Sequence, residues 1–438
     1  MINERSRAAT QEPTAGAANR RPFVAFGLAE TFSLAGTRLS MIAIPWLVLT
    51  TTGSAGMTGL VSFAEMLPYV ITKTLAGPIV DRIGAKPIAV IADAASVLVI
   101  ALVPILHTAG ALHIAVLVPI VAIMGSLRGP SDGAKETLVP QVAELAAVPL
   151  ERVTGVHSAI ERLATTVGAA AAGGLVALLG PASALALNAG TFAVAAAVIM
   201  IGVPRDHRTQ PAGRGSDPGG LRRYLRDLNE GWRFLRTDAV LVGMTIMVAI
   251  TNLLDQAFSA VMIPVWAKES GHGALGIGLF GAFWSGASVL GAVLAAARAD
   301  KLPRLAVYTV AFLIAGAPRF VIFAVDPQLA VILGFCVIGG FASGFINPIL
   351  GAVIFERIPK PLVGRVSTLN SSLAWSLIPF GGLLGGVLIA GLGLPVALLT
   401  VGGGYFLTTL MPLVRKSFRE FAHRPEAAAD PRSPVPRS

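Results

Sequence analysis

ASALALNAGTFAVAAAVIMIGV, residues 182–203, runs for 22 positions without one charged side chain. A helix rises 1.5 Å per residue, so roughly 20 apolar residues are needed to cross the hydrocarbon core of a bilayer. Inside that core a backbone amide has no water to bond, which leaves the helix as the conformation for this stretch. Working outward from it, the same pattern recurs at 23–49, 55–79, 87–107, 112–131 and 155–179. After a polar gap at 205–237 it returns at 239–265, 274–298, 304–325, 328–350, 366–390 and 394–414. The expectation is an all-α membrane protein with twelve transmembrane helices. Pro45, Pro68, Pro264, Pro318, Pro348 and Pro379 fall inside these spans and mark kinks that neighbouring helices accommodate.

Composition excludes other classes. Charged residues make up 13% and hydrophobic residues 54%, against about 25% charged in soluble domains. The net charge of +10 does not mark a nucleic-acid binder, because the cations sit in loops and tails rather than on one soluble patch. Cys336 is the single cysteine, so neither a disulfide nor a cysteine metal site is expected. His107 and His113 flank one loop and read as surface residues. Gly276-x-Gly278-x-x-Gly281 has dinucleotide spacing, but it lies in an apolar span with no strand before it and reads as helix packing. With no phosphate-binding Gly-x-x-x-x-Gly-Lys-Ser/Thr loop and no catalytic dyad, no enzyme, cofactor or metal is expected. A polar start also argues against a cleavable signal peptide.

Orientation follows from the cations. Of 34 Lys and Arg, 28 fall in the tails and in alternate loops on one side. Lys268 alone lies on the other side, and Arg38, Lys73, Arg128, Arg162 and Arg319 lie within spans. The positive-inside rule therefore puts both termini in the cytoplasm of a multi-pass cell-membrane protein. The chain divides into a disordered tail at 1–22, a six-helix bundle at 23–203, a cytoplasmic loop at 204–237, a second six-helix bundle at 238–414 and a tail at 415–438. Within the loop, Leu221, Leu225, Leu228, Trp232 and Leu235 recur at helical spacing among arginines. That pattern predicts an amphipathic helix on the inner leaflet or against the bundle.

The two bundles share residues at an offset of 219. Ser40 falls on Ser259, Ile44-Pro45 on Ile263-Pro264, Gly59-Leu60 on Gly278-Leu279 and Asp81-Arg82 on Asp300-Lys301. Apolar matches carry little weight in so biased a sequence, but the Ile-Pro and Asp-basic pairs are rarer. They suggest two pseudo-symmetric halves with a site between them near the midplane.

Between the second and third spans the chain reads Gly77-Pro-Ile-Val-Asp81-Arg82-Ile-Gly84-Ala-Lys86-Pro87. This resembles motif A of the major facilitator superfamily, in which the cluster latches the cytoplasmic side shut in the outward-open state. Gly77 would admit a neighbouring helix and Gly84 a tight turn. Asp81 would pair with a base or a helix N-terminus, while Arg82 and Lys86 would anchor the loop on anionic headgroups. The passage at 44–54 (IPWLVLTTTGS) and Glu-Gly-Trp-Arg-Phe-Leu at 230–235 resemble the drug and macrolide efflux branch. Arg128 is placed similarly to the arginine that drug/proton antiporters use, whereas the fifth span reads GAAAAGG at 168–174 without the antiporters' proline.

Ionisable groups inside the membrane are costly and mark function by default. Glu30, Arg38, Glu65, Arg128 and Asp255 are the candidates for proton and substrate coupling. Lys73 is expected to snorkel inward, Arg128 to pair with Asp132, Glu161-Arg162 to act as a gate or packing pair, and Asp93 to pair with motif A cations. The resemblance implies a cavity built from spans 1, 4, 7 and 10, which adds Asn252 and Asn347 to its lining. A carboxylate held away from water can take a proton near neutral pH; Glu65 and Glu30 lead for that role and Asp255 follows.

The expected protein is a secondary transporter moving a small amphipathic molecule by alternating access. Proton-coupled efflux is the leading mode, and the protein is expected to be a monomer in lipid. Uptake, export of a specific metabolite such as a siderophore or natural product, and a non-transporting scaffold or receptor stay open.

Overall fold

The computed structural model describes residues 20–204, 220–298, 302–359, 362–415 and 418. The expectations for the tails at 1–19 and 419–438, and for Asp300-Lys301, lie outside the described residues. Every described element is helical. The first bundle comprises α1 (Arg21–Thr52), α2 (Ala55–Ile83), α3 (Ala85–Thr108), α4 (Ile114–Leu145), α5 (Leu150–Leu179) and α6 (Pro181–Gly202). A surface helix α7 (Gly220–Thr237) leads into the second bundle. That bundle holds α8 (Ala239–Glu269), α9 (Gly273–Ala297), α10 (Arg304–Val325), α11 (Leu329–Arg357), α12 (Val363–Leu392) and α13 (Leu394–Val414).

Eleven of these helices are long and apolar enough to cross a membrane. The twelfth, α2, is 29 residues long but more polar, carrying Glu65, Lys73, Asp81 and Arg82. Its neighbours explain the tolerance: α2 packs on α4 in its own bundle and on α12 across the molecule. Glu65 and Lys73 there face protein rather than lipid, and Asp81 and Arg82 lie at the helix end.

The halves differ in continuity. Pro45 and Pro68 sit inside unbroken α1 and α2. In the second half the prolines open new segments. Pro264 follows a π turn at Phe258–Met262, and Pro318 follows a break at Gly316. Pro348 and Pro379 start the second pieces of α11 and α12. A proline lacks the donor that the preceding turn needs, and it is tolerated at the first positions of a helix.

Helices α1–α6 pack chiefly among themselves, as do α8–α13, and α2–α12 and α5–α9 join the halves. We call the end where α1 begins the basic end and the opposite one the far end. At the far end the junctions are glycine on backbone. A Cβ on Gly382 would sit 2.8 Å from Ser62 Cβ and 2.9 Å from the Gly59 carbonyl, and one on Gly278 2.9 Å from Gly173 Cα. The glycines at 276–281 are thus packing surfaces, as expected, and those at 381–386 serve the same way. Lys268 Nζ donates to the Leu49 carbonyl at 2.9 Å, tying α8 to the last turn of α1.

At the basic end a cavity of about 760 Å³ separates the halves, between Lys73, Gly77 and Thr137 on one side and Ser367, Ser371 and Trp375 on the other. Helix α7 lies against the base of α12: Leu235 is buried with Ile358 and Val366, and Arg365 pairs with Glu230. The expected side chains Leu221, Leu225 and Leu228 lie outside the described residues.

Two expectations need correction. The fourth span does not stop at 131; α4 continues to Leu145 and carries Lys135 into the interior, 2% exposed. The apolar run ends early because the helix there faces its own bundle and no longer lipid. Motif A is also arranged differently. Gly84 has φ +100°, a conformation other residues rarely adopt, as its turn requires. Gly77, however, has no neighbour for a Cβ within 4 Å, and it faces the basic-end cavity. Asp81 and Arg82 are exposed. Lys86 turns inward and donates to the Met200 and Val203 carbonyls at 2.9 and 2.5 Å, completing the C-terminus of α6.

Candidate functional site: a charge ladder and a polar cavity between the bundles

Helices α2 and α4 run side by side in the same direction, and their polar residues meet in three rungs. Glu65 pairs with Arg128 at 3.6 Å, the Tyr69 hydroxyl donates to Asp132 at 3.1 Å, and Lys73 pairs with Glu136 at 3.3 Å. The three pairs share a constant sequence offset of 63, because residues four apart lie on one helix face. Gly125, Gly129 and Gly133 form the adjacent face of α4. A Cβ at Gly129 would lie 2.9 Å from the Tyr69 carbonyl, and one at Gly133 3.1 Å from Ala76 Cβ. Removing three side chains lets the backbones approach closely enough for the rungs to form.

Arg128 is the centre of this array. It also lies 3.7 Å from Asp132 and stacks over the Tyr69 ring at 4.6 Å. The expected Arg128–Asp132 pair is therefore present, and Glu65 is a second partner. Lys73 does not snorkel inward to the headgroups as expected. Its ammonium stays beside Glu136, 4.9 Å over the Trp375 ring of α12. An aromatic face and a carboxylate hold it better than a stretch toward distant headgroups.

Asp93 has a partner other than the expected one. Lys135 lies 2.8 Å from it and donates to Ser33 at 2.5 Å, while Ser131 donates to Asp93 at 2.6 Å. Motif A cations lie in a turn at the helix end, so the interior lysine displaces them. Glu30 on α1 faces His157 on α5 at 3.6 Å. Arg38 donates to Thr165 at 2.8 Å.

The second half contributes a separate pair, Asp255 with Arg319. Arg319 is enclosed by Phe258, Trp284, Phe320 and Tyr405, their ring centroids 4.8–5.4 Å from its guanidinium. Asp255 keeps 40% of its side chain exposed while Arg319 keeps 9%, so the carboxylate is the member that can be reached.

These groups line neighbouring cavities that share lining residues. One cavity of about 280 Å³ holds Glu30, Arg38, Arg128 and the Tyr69–Asp132 and Lys73–Glu136 rungs. A second of about 550 Å³ holds Asn252, Asp255, Asn347, Arg319, Trp284 and Arg162. Glu161 borders both. Glu65 borders a third, of about 170 Å³, which shares Arg38 and Gln256 with the first. All the lining candidates read from the sequence are thus brought to this system. Asn252 also donates to the Ala374 carbonyl at 2.9 Å. The motif A residues stand apart at the basic end, save Gly77.

Sequence reading missed His157, Tyr69, Trp375, Trp284, Tyr405 and Lys135. The repeat of four in Glu65, Tyr69, Lys73 and in Arg128, Asp132, Glu136 was a usable signal for the ladder. Nothing in the linear order marked the aromatic residues as neighbours of Arg319. Among the described residues no group of His, Cys, Asp and Glu could hold a metal ion.

Two bundles of six membrane helices around a polar cavity define a membrane transporter, and the chain belongs to the Major Facilitator Superfamily, which it matches over residues 26–382 and 245–437. Among its relatives is the multidrug efflux pump Tap of Mycobacterium tuberculosis, 30% identical over 420 residues, 94% of this chain and 97% of that protein. Tap of Mycolicibacterium fortuitum is 29% identical over 406 residues, covering 92% and 97%. Of solved structures, the nucleoside transporter NupG superposes with a TM-score of 0.66 at 14% identity, covering 91% of this chain and 99% of that one, a likeness of fold.

Proposed function

We propose that the protein is a proton-coupled exporter of small amphipathic molecules, working by alternating access. The full-length similarity to multidrug efflux pumps supports the export reading. The basic end is the cytoplasmic one, as the cation distribution argues, and the conformation described is then the inward-facing state. One observation carries the mechanism: the cavity system is closed by glycine contacts at the far end and opens between α2, α4 and α12 at the basic end. A substrate enters there and meets Asp255, Asn252, Asn347 and Trp284 from the second half and Glu161 from the first.

Coupling is assigned to the first half. Protonation of Glu65 would loosen its ion pair with Arg128, which holds α2 to α4, and Glu30 of α1 faces His157 of α5 where a proton can be shared. Motif A is disengaged here and forms its latch in the opposite state. The test has two steps. A strain lacking the protein is screened against a panel of toxic amphipathic compounds, with and without the gene restored. The compounds protected against are then offered to proteoliposomes holding a pH-sensitive dye and an imposed pH gradient. Export predicts proton entry that appears only with substrate; substrate movement without proton flux would end the coupling assignment, and no protection against any compound would end the export reading.

A further inference from the structure

We propose that His157 and Glu30 form a two-member proton shuttle, with His157 as the group that exchanges protons with water at the basic end. The inference deepens the proton-coupled reading above and rests on it. Glu30 is 5% exposed, and its Oε2 has no hydrogen-bond partner; His157 Nδ1 is also buried without one. The imidazole nitrogen and the other carboxylate oxygen face each other at 3.6 Å, and the ring sits 6.1 Å from Phe26. Two buried polar atoms left in this way are costly unless some state of the protein pairs them. A proton on the pair supplies that state.

The surroundings favour the assignment. His157 lies seven residues into α5, about 10 Å from the basic end, and Glu30 about 14 Å in on α1. Both line the 280 Å³ cavity. Glu161 follows His157 by four residues on the same face of α5 and borders the substrate cavity as well. The shuttle therefore lies between cytoplasmic water and the substrate. The other charges around Glu30 are already engaged: Lys135 with Asp93, Asp132 with Arg128 and Tyr69, Lys73 with Glu136, and Arg38 with Thr165. Glu161 stands beyond them on α5.

In the transfer, a protonated Glu30 closes to hydrogen-bond distance of Nδ1. Its O–H bond breaks as an N–H bond forms, which leaves a carboxylate facing an imidazolium. The imidazolium then loses a proton from Nε2 to cavity water. One proton enters, one leaves, and the ring returns neutral as the other tautomer.

The experiment reads protonation without any transport substrate, so its outcome is separable from that of the export assay. Purified full-length protein is titrated while the infrared C=O band of protonated carboxyl groups is followed. The E30Q variant should remove one titrating component. The H157Q variant should keep it but move its midpoint by about one pH unit or more, as for coupled sites. An identical titration in wild type and H157Q, or no component lost in E30Q, overturns the proposal. Should H157Q not fold, histidine-labelled protein carrying E30Q gives the reciprocal reading by nitrogen NMR. One of the six imidazoles must change its midpoint, and six unchanged titrations overturn the proposal.

Discussion

Arg128 holds α4 to α2 through Glu65 and the face of Tyr69, while Asp132 of its own helix supplies a third contact. Removing it leaves a buried carboxylate with no cation, a change that costs about 3–5 kcal/mol. R128A is expected to lower the thermal stability of the detergent-solubilised protein by that amount, and R128K to recover only part, since an ammonium cannot span two carboxylates as the planar fork does. The double variant R128Q/E65Q should be more stable than R128A. Asp255→Asn makes a parallel case in the other half, because it strands Arg319 among four aromatic rings. The expected result is a destabilisation of similar size, relieved when Arg319 is replaced by Leu as well. At this scale the sequence was informative for single residues and silent about pairs. Glu65 and Arg128 stood out because hydrocarbon does not tolerate charge. Lys135 did not, because it follows the apolar run and looks like a loop cation until α4 is seen to continue ten residues past it. Asp93 was misassigned for the same reason.

Elements meet where side chains are absent. The glycines of α12 seat on α2 and α8, and Gly278 of α9 seats on Gly173 of α5. A methyl group there meets backbone rather than a yielding side chain. G382A and G278A are expected to disfavour far-end closure by about 1–3 kcal/mol, the range for overpacking. That corresponds to roughly a 5- to 150-fold shift in population. Spin labels on the far-end tips of α2 and α12 would read it as a longer distance; an unchanged distribution would remove these contacts from the gate. Helix number and most boundaries were legible, because lipid forces one conformation on every apolar stretch. The breaks at Gly316 and before Ile346 and Ile378 were less so. Proline marks the possibility of a kink, while packing decides whether the helix divides, as the intact α1 around Pro45 shows.

For the whole molecule, the one basic residue expected on the far side acquires a purpose. Lys268 reaches from the second bundle to the carbonyl end of α1, where a cation adds a second donor to the Leu49 oxygen, already bonded by Gly53 N–H, and complements the helix dipole. Lys268 itself is exposed and the contact only part-buried, so about 1 kcal/mol, roughly fivefold in population, is the expected scale. K268A should move the resting equilibrium toward the state open at the far end. Cysteines paired across Gly53 and Glu269 would then cross-link more slowly, with substrate affinity in the inward state unaltered. The sealed rim has a pharmacological corollary. With the basic end in the cytosol, as proposed, a blocker dissolved in the medium meets a shut door and must first permeate the lipid, so potency among related blockers should follow their membrane permeability.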